Sequence, residues 1–228
     1  MQLLTKTDHE INKQVSFGNR KIATARSLKF LGPTVDTTLT WKHHIGELTS
    51  RLSKACYAIR SIKPFMSLDV LRSTYFSYAH SIKSYGIIFW RNSSHSEEIL
   101  KNQKRIIRII MNSSKTPSCQ QIFKELNILP IQSQYIFSIL LFVTTNKDQF
   151  LSNSQVHKIN KMQTSDLYVP TANLAIYQTG VYYSGIKIYN HLPTAITGLS
   201  GDKNKFKLAL TRYLLHNSFY SQEEYPNT

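Results

Sequence analysis

The sequence predicts an α+β fold that is mostly α-helical, with a small N-terminal antiparallel β element followed by a helical bundle. Three observations carry this. Up to Asp36 the chain falls into short pieces rich in β-branched and aromatic residues, which suit strands. From Ile45 the apolar positions Ile45, Leu48, Leu52, Ala55, Ile59 and Ile62 recur in steps of three and four, which places them on one helix face. Over Glu97–Met111, isoleucines and cations separate onto opposite sides of a helix.

Taken in order, Gln2–Thr5 is the first strand-like piece. Lys13–Phe17 alternates and ends at the turn pair Gly18-Asn19, from which Arg20–Ile22 can return. Leu28–Val35 reads as a further strand with a glycine inside it. A sheet this small is marginal on its own. The first long helix follows and stops at Pro64. Ser67 is placed to cap the next helix, with Asp69 favourable near its positive end, and that helix runs through Tyr78 toward Ser81. Asn92–Ser96 is a polar break in which Ser94 and Glu97 have capping-box spacing.

In Glu97–Met111, Ile99, Ile106, Ile107 and Ile110 gather on one side. Lys101, Lys104, Arg105 and Arg108 gather opposite, within an arc of about 100°. Burial of the isoleucines turns these cations outward, where their removal costs little stability. A loop at 113–118 leads to a short helix ending near Leu126, before Pro130. Ile131–Thr145 is apolar nearly all round, so Tyr135, Phe137 and Phe142 read as core. Residues 147–170 are polar and weakly patterned. Val181–Asn190 is helical and ends at Leu192-Pro193. Asp202 caps a last helix marked by Phe206, Leu210 and Tyr213.

The chain's 228 residues suit one large domain or two small ones. Its formal net charge of +15 points to an anionic partner, nucleic acid before an acidic membrane surface. Residues 1–115 carry 19 Lys and Arg against 7 Asp and Glu, and residues 116–228 carry 9 against 6, so an electrostatic surface belongs to the first half. Two distant cysteines, Cys56 and Cys119, suit an intracellular protein, cytoplasmic or nuclear, without a disulfide framework. They cannot build a zinc knuckle. Met1-Gln2-Leu3-Leu4 passes at once into polar residues, unlike a signal peptide. The longest apolar run, Tyr135–Val143, is too short to span a bilayer.

The order of several short motifs carries a family resemblance. Phe30-Leu31-Gly32 is followed by Asp36, Leu39-Thr40-Trp41 and His44-Ile45. Tyr85-Gly86 with Trp90 comes next, then Gln103–Ile110, Tyr183–Pro193 and Ser218-Phe219-Tyr220. In this order they resemble the C-terminal part of reverse transcriptases of jockey-like non-LTR retrotransposons. The resemblance implies that residues 1–41 are a palm remnant in which Phe30, Leu31 and Gly32 form a primer-grip-like strand turn. Residues 42–146 would be a helical thumb-like domain, and 147–228 a linker and C-terminal helical region. Nucleic-acid-binding candidates are Lys42, Arg51, Lys54, Lys101, Lys104, Arg105 and Arg108. They would meet the phosphates of an RNA/DNA duplex or primer-template without reading its sequence.

Polymerase chemistry needs two metal ions held by close carboxylates, and the family supplies them on an Asp-Asp turn. This chain has no Asp-Asp pair. Glu97-Glu98 sits at a helix start and Asp36 stands alone as a turn or cap residue. No catalytic residue and no metal ligand is therefore assigned. Mg²⁺ is implied only for a complete polymerase that includes the missing upstream region. Adjacent His43 and His44 point about 100° apart on a helix and cannot share a metal. Neither a Gly-x-Ser-x-Gly elbow nor a phosphate-cradling Gly-x-x-x-x-Gly-Lys loop is present. The chain alone is expected to be inactive as an RNA-directed DNA polymerase.

Three positions depart from the family pattern: Pro33 in a strand, Arg91 where a glycine is expected and where arginine is strained if the turn needs a positive φ, and Gly46 inside a helix. They motivate the alternative, a basic helical interaction module or a decayed transposable-element remnant with no biochemical role.

Overall fold

The computed structural model describes residues 3, 15–113, 118–157, 166–221, 224 and 225. Apart from Leu3, the strand expected at Gln2–Thr5 lies outside the described residues. Two small antiparallel sheets precede the helices. Strand β1 (Val15–Phe17) pairs with β2 (Arg20–Ile22) across Gly18-Asn19, and β3 (Ser27–Lys29) pairs with β4 (Thr34–Asp36), with Leu28 opposite Val35. The single strand expected over Leu28–Val35 is thus a hairpin. Leu31 (φ 48°) and Gly32 (φ 101°) both leave the extended region and reverse the chain, and the Phe30 N–H donates to the Pro33 carbonyl at 2.9 Å. Pro33 sits in this turn, where the donor it lacks is not needed.

Helix α1 (Lys42–Ile62) buries Ile45, Leu48, Leu52, Ala55 and Ile59 as its spacing predicts. Pro64 falls in a 3₁₀ turn, Lys63–Phe65. Helix α2 (Leu68–Thr74), a π-helical turn (Tyr75–His80) and α3 (Ser81–Ser84) then form one continuous rod. A short α4 (Ile87–Trp90) precedes α5 (Glu97–Met111). Arg91 has φ −63° and is unstrained. The Ser94–Glu97 capping box does not form. Ser93 caps a 3₁₀ turn by accepting from the His95 N–H, and Ser96, the residue before α5, turns its hydroxyl to the Arg91 and Ser93 carbonyls. Gly46 is exposed with open space around it, so it costs α1 about 1 kcal/mol relative to alanine without disturbing packing.

Helices α6 (Cys119–Glu125) and α7 (Ile131–Thr145) follow. Residues 147–228, expected as a linker and a C-terminal helical region, contain α8 (Asn153–His157), α9 (Ala175–Gln178), α10 (Val181–Asn190), α11 (Thr194–Thr197) and α12 (Lys203–Asn217). Asp202 caps α12 by accepting from the Asn204 and Lys205 N–H groups. Residues from α1 to α12 share one hydrophobic cluster. Within it α1 packs along α5, and α7 is the centre against which α10, α12, α4 and α3 lie. A Cβ on Gly185 of α10 would stand 2.9 Å from a Val143 methyl, so only glycine permits that helix approach.

One buried amide joins three of these elements. Gln103 of α5 donates from Nε2 to the Tyr75 hydroxyl at 2.8 Å and to the Leu129 carbonyl at 2.9 Å, and its Oε1 accepts from the Ile131 N–H at 2.9 Å. Gln103 therefore ties the π-helical turn, α5 and the start of α7 together in an interior where an unpaired amide is costly.

A buried cation lies on the rod. Lys83 of α3 is 1% exposed and its ammonium has no hydrogen-bond partner. Loss of water drives its pKa from the ordinary 10.5 down to about 7. The neighbouring His80 is pushed down to about 4, by burial first and by Lys83 second, so it is neutral near pH 7. Below about pH 7 folded and unfolded chains both carry the Lys83 proton and the burial cost is present in full. Between about 7 and 10.5 only the unfolded chain holds it, so stability climbs with pH by up to roughly 1.4 kcal/mol per unit. Thermal melts should show Lys83→Met raising Tm at pH 6.5, at about 2–4 °C per kcal/mol for a chain of this size. The advantage over the parent should shrink steadily toward pH 10.

Candidate nucleic-acid interface

The first part of the site is the β3–β4 turn and its support. Phe30 and Leu31 are 61% and 74% exposed, so the turn presents their side chains outward. The turn is fixed from behind by Tyr85, whose hydroxyl donates to the Leu31 carbonyl at 2.5 Å. The Trp90 indole N–H in turn donates to the Tyr85 carbonyl at 3.0 Å. Gly32 is required twice over. Its φ of 101° suits only glycine, and a Cβ there would stand 3.0 Å from the Tyr85 ring. Phe30, Leu31, Pro33, Tyr85 and Phe89 line an apolar groove of about 590 Å³ beside the turn.

Asp36 links this hairpin to α1. Its carboxylate accepts from the Thr40 N–H at 2.8 Å, the Trp41 N–H at 2.8 Å, the Thr38 N–H at 3.2 Å and the Thr38 and Thr40 hydroxyls. Partial burial alone would raise this carboxyl, but those hydrogen bonds hold it below the usual range. They also support a costly backbone: Leu39 (φ 52°) and Trp41 (φ 60°) are left-handed without being glycine, at about 1–3 kcal/mol each. His44 lies behind the turn, its Nδ1 accepting from the Thr34 N–H at 3.4 Å. Burial pushes its pKa down against the opposing pull of Glu47. Asp36 is thus a structural cap.

The second part lies where α1 and α5 end together. Arg60, Lys63, Arg105, Arg108, Asn112 and Ile109 line an open cleft of about 910 Å³, and among the described residues no acid lines it. Lys63 Nζ donates to Asn112 Oδ1 at 2.6 Å, which joins the two helix ends. Cations beside helix C-termini are favoured by the backbone dipoles alone, so part of this clustering is structural.

The expected binding residues divide. Arg105 is exposed and, with Arg108, enters the cleft. Lys101 does not; its ammonium pairs with Glu98 at 2.6 Å, and that hydrogen bond raises its pKa. Lys104 is not simply outward either. Its ammonium sits 3.9 Å from the centre of the Tyr220 ring, because the segment after α12 folds back over α5. Removing Lys104 therefore disturbs packing and not only surface charge. Lys42, Arg51 and Lys54 are exposed on α1 and do not line the cleft. Arg60 and Lys63, by contrast, do, and sequence reasoning passed over them. Their signal was only their position just before Pro64; nothing local said that α5 would end beside them.

Among the described residues no group of three or more His, Cys, Asp or Glu could hold a metal ion, and no helix is long and apolar enough to cross a membrane. Comparison with known protein families, with curated proteins and with solved structures finds no match.

The interlock of Gly32 with Tyr85 makes a direct prediction. Gly32→Ala should destabilise the chain by about 1–3 kcal/mol, seen as a lower Tm, because the new methyl meets both a disfavoured φ and the tyrosine ring. An unchanged melting curve would show that the turn relaxes freely.

Proposed function

We propose that this chain is a nucleic-acid-binding fragment of a non-LTR retrotransposon reverse transcriptase, without polymerase activity of its own. The observation that carries the reading is the cleft at the joined ends of α1 and α5, where, among the described residues, four cations meet with no lining acid on a chain of net charge +15. Such an arrangement suits phosphates at regular spacing and carries no sequence information. The order of the family-like motifs supports the same reading. So does the β3–β4 turn, whose outward Phe30 and Leu31 are held by backbone contacts as a primer-grip-like element requires. The carboxylates and Mg²⁺ of the reaction belong to a complete polymerase. Residues α1–α7 then act as a thumb-like clamp on an RNA/DNA duplex or primer-template.

A basic helical interaction module is the second reading, and the apolar groove beside Phe30, Leu31, Tyr85 and Phe89 favours it.

The test is a salt titration of duplex binding. Arg60→Gln with Arg105→Gln removes two exposed cleft cations. Affinity should fall about equally for unrelated sequences, and the slope of log K against log salt should become shallower by up to about 2 units. Thermal stability should stay nearly unchanged, since exposed cations contribute little to folding. Primer extension with Mg²⁺ and nucleotides should give background only. Unchanged slope and affinity would overturn this reading in favour of the interaction module.

A further inference from the structure

The β3–β4 sheet has one open edge. The Phe30 N–H donates to the Pro33 carbonyl at 2.9 Å and the Thr37 N–H to the Arg26 carbonyl at 3.0 Å, with Leu28 opposite Val35 between them. This phase turns the backbone groups of residues 26, 28 and 30 toward β4, so Ser27 and Lys29 turn theirs away. Among the described residues no strand pairs with that side, and all three residues of β3 are exposed. The opposite edge is taken. The outward Thr34 N–H donates to His44 Nδ1, and α1 packs along β4.

The open edge borders an apolar surface. Alternation and cross-strand pairing put Leu28, 47% exposed, on the sheet face that carries Phe30, Pro33 and Val35. Those three line the groove of about 590 Å³ together with Tyr85 and Phe89. A strand laid along β3 would continue this face with every second side chain. Its other side chains would stand beside Ser27 and Lys29. Residues 15–35 contain Arg20, Lys21, Arg26 and Lys29 and no Asp or Glu. A lysine on an edge opposes pairing with a second copy of the same edge and favours a carboxylate across from it.

We infer that the β3 edge takes an extended segment of another protein, alternating apolar and acidic residues, as an added strand. The backbone of Ser27 and Lys29 supplies the main-chain hydrogen bonds, the Leu28 face receives the apolar side chains, and Lys29 selects the acidic ones. The inference goes beyond the nucleic-acid reading and uses no residue of the basic cleft, so each can fail alone.

The probe is a labelled peptide of about seven residues, the length of a short strand, with Glu and Val in alternation. The full chain should bind it about tenfold or more tighter than a peptide of the same composition with Glu and Val in two blocks. It should also prefer it to a Lys–Val alternation. Ser27→Pro removes one outward N–H without touching the β3–β4 ladder; it should abolish the preference for alternation and leave circular dichroism and melting unchanged. Lys29→Glu, which leaves the backbone alone, should narrow the preference for Glu over Lys. Arg60→Gln with Arg105→Gln should leave peptide binding unchanged, and saturating duplex should not displace the peptide. Equal binding of alternating and block peptides overturns the inference, as does loss of binding in the cleft variant or displacement by duplex. Unchanged binding by a folded Ser27→Pro chain also overturns it. If Ser27→Pro does not fold, an unchanged Glu-over-Lys preference in Lys29→Glu overturns it instead. A parent dimer in sedimentation that Ser27→Pro dissociates assigns the edge to a second copy and overturns it too.

Discussion

The buried amide of Gln103 is the constraint on which the arrangement of helices depends. It offers one acceptor and two donor hydrogens, and these meet Ile131, Tyr75 and Leu129. Apolar faces alone would let α5 slide or rotate against its neighbours, since isoleucine contacts are tolerant of register. The amide is not tolerant. Any shift leaves buried polar groups unpaired, at about 1–3 kcal/mol each. With α5 fixed in this way, α1 lies along it and the ends of the two helices coincide. The basic cleft is a product of that coincidence.

The long helices were legible because their signal is local and repeated. Isoleucine spacing gave the bounds of α5, and near-continuous apolarity gave α7. What the sequence hid was of two kinds. Residue types alone read Leu28–Val35 as one strand, although the resemblance implied a turn at Phe30-Leu31-Gly32, because Leu31 adopts a left-handed backbone that side chains disfavour; a contact from distant Tyr85 holds it there. The composition of the cleft was hidden because it depends on which helix ends meet. Lys101 and Lys104 share a face with Arg105 and Arg108 on the helical wheel, yet Glu98 and Tyr220 claim them. Glu98 was adjacent enough to be read from the sequence. Tyr220 could not be, since its approach is set by the packing of α12 on α6 and α7.

The three departures from the pattern of the family that the sequence resembles look different in three dimensions. Pro33 occupies a turn that needs no donor from it, and Arg91 has ordinary helical angles. Gly46 faces open space and weakens α1 only through its backbone freedom. None of the three breaks the fold. The charge asymmetry has a matching physical expression, since the cations that line the cleft all come from residues 60–108.

The π-helical turn at Tyr75–His80 has a consequence for the hairpin. A π turn accommodates one residue more than an α turn over the same rise, so everything after it is rotated by about 100° from where an uninterrupted helix would carry it. That phase offset sets the heading with which the chain leaves α3 for Tyr85, whose hydroxyl donates to the Leu31 carbonyl. The conformation of Leu31 and Gly32 is therefore referenced to a helix more than forty positions downstream. The turn works as a vernier: one extra residue, far from the strands in sequence, sets the angular zero from which the hairpin is aligned.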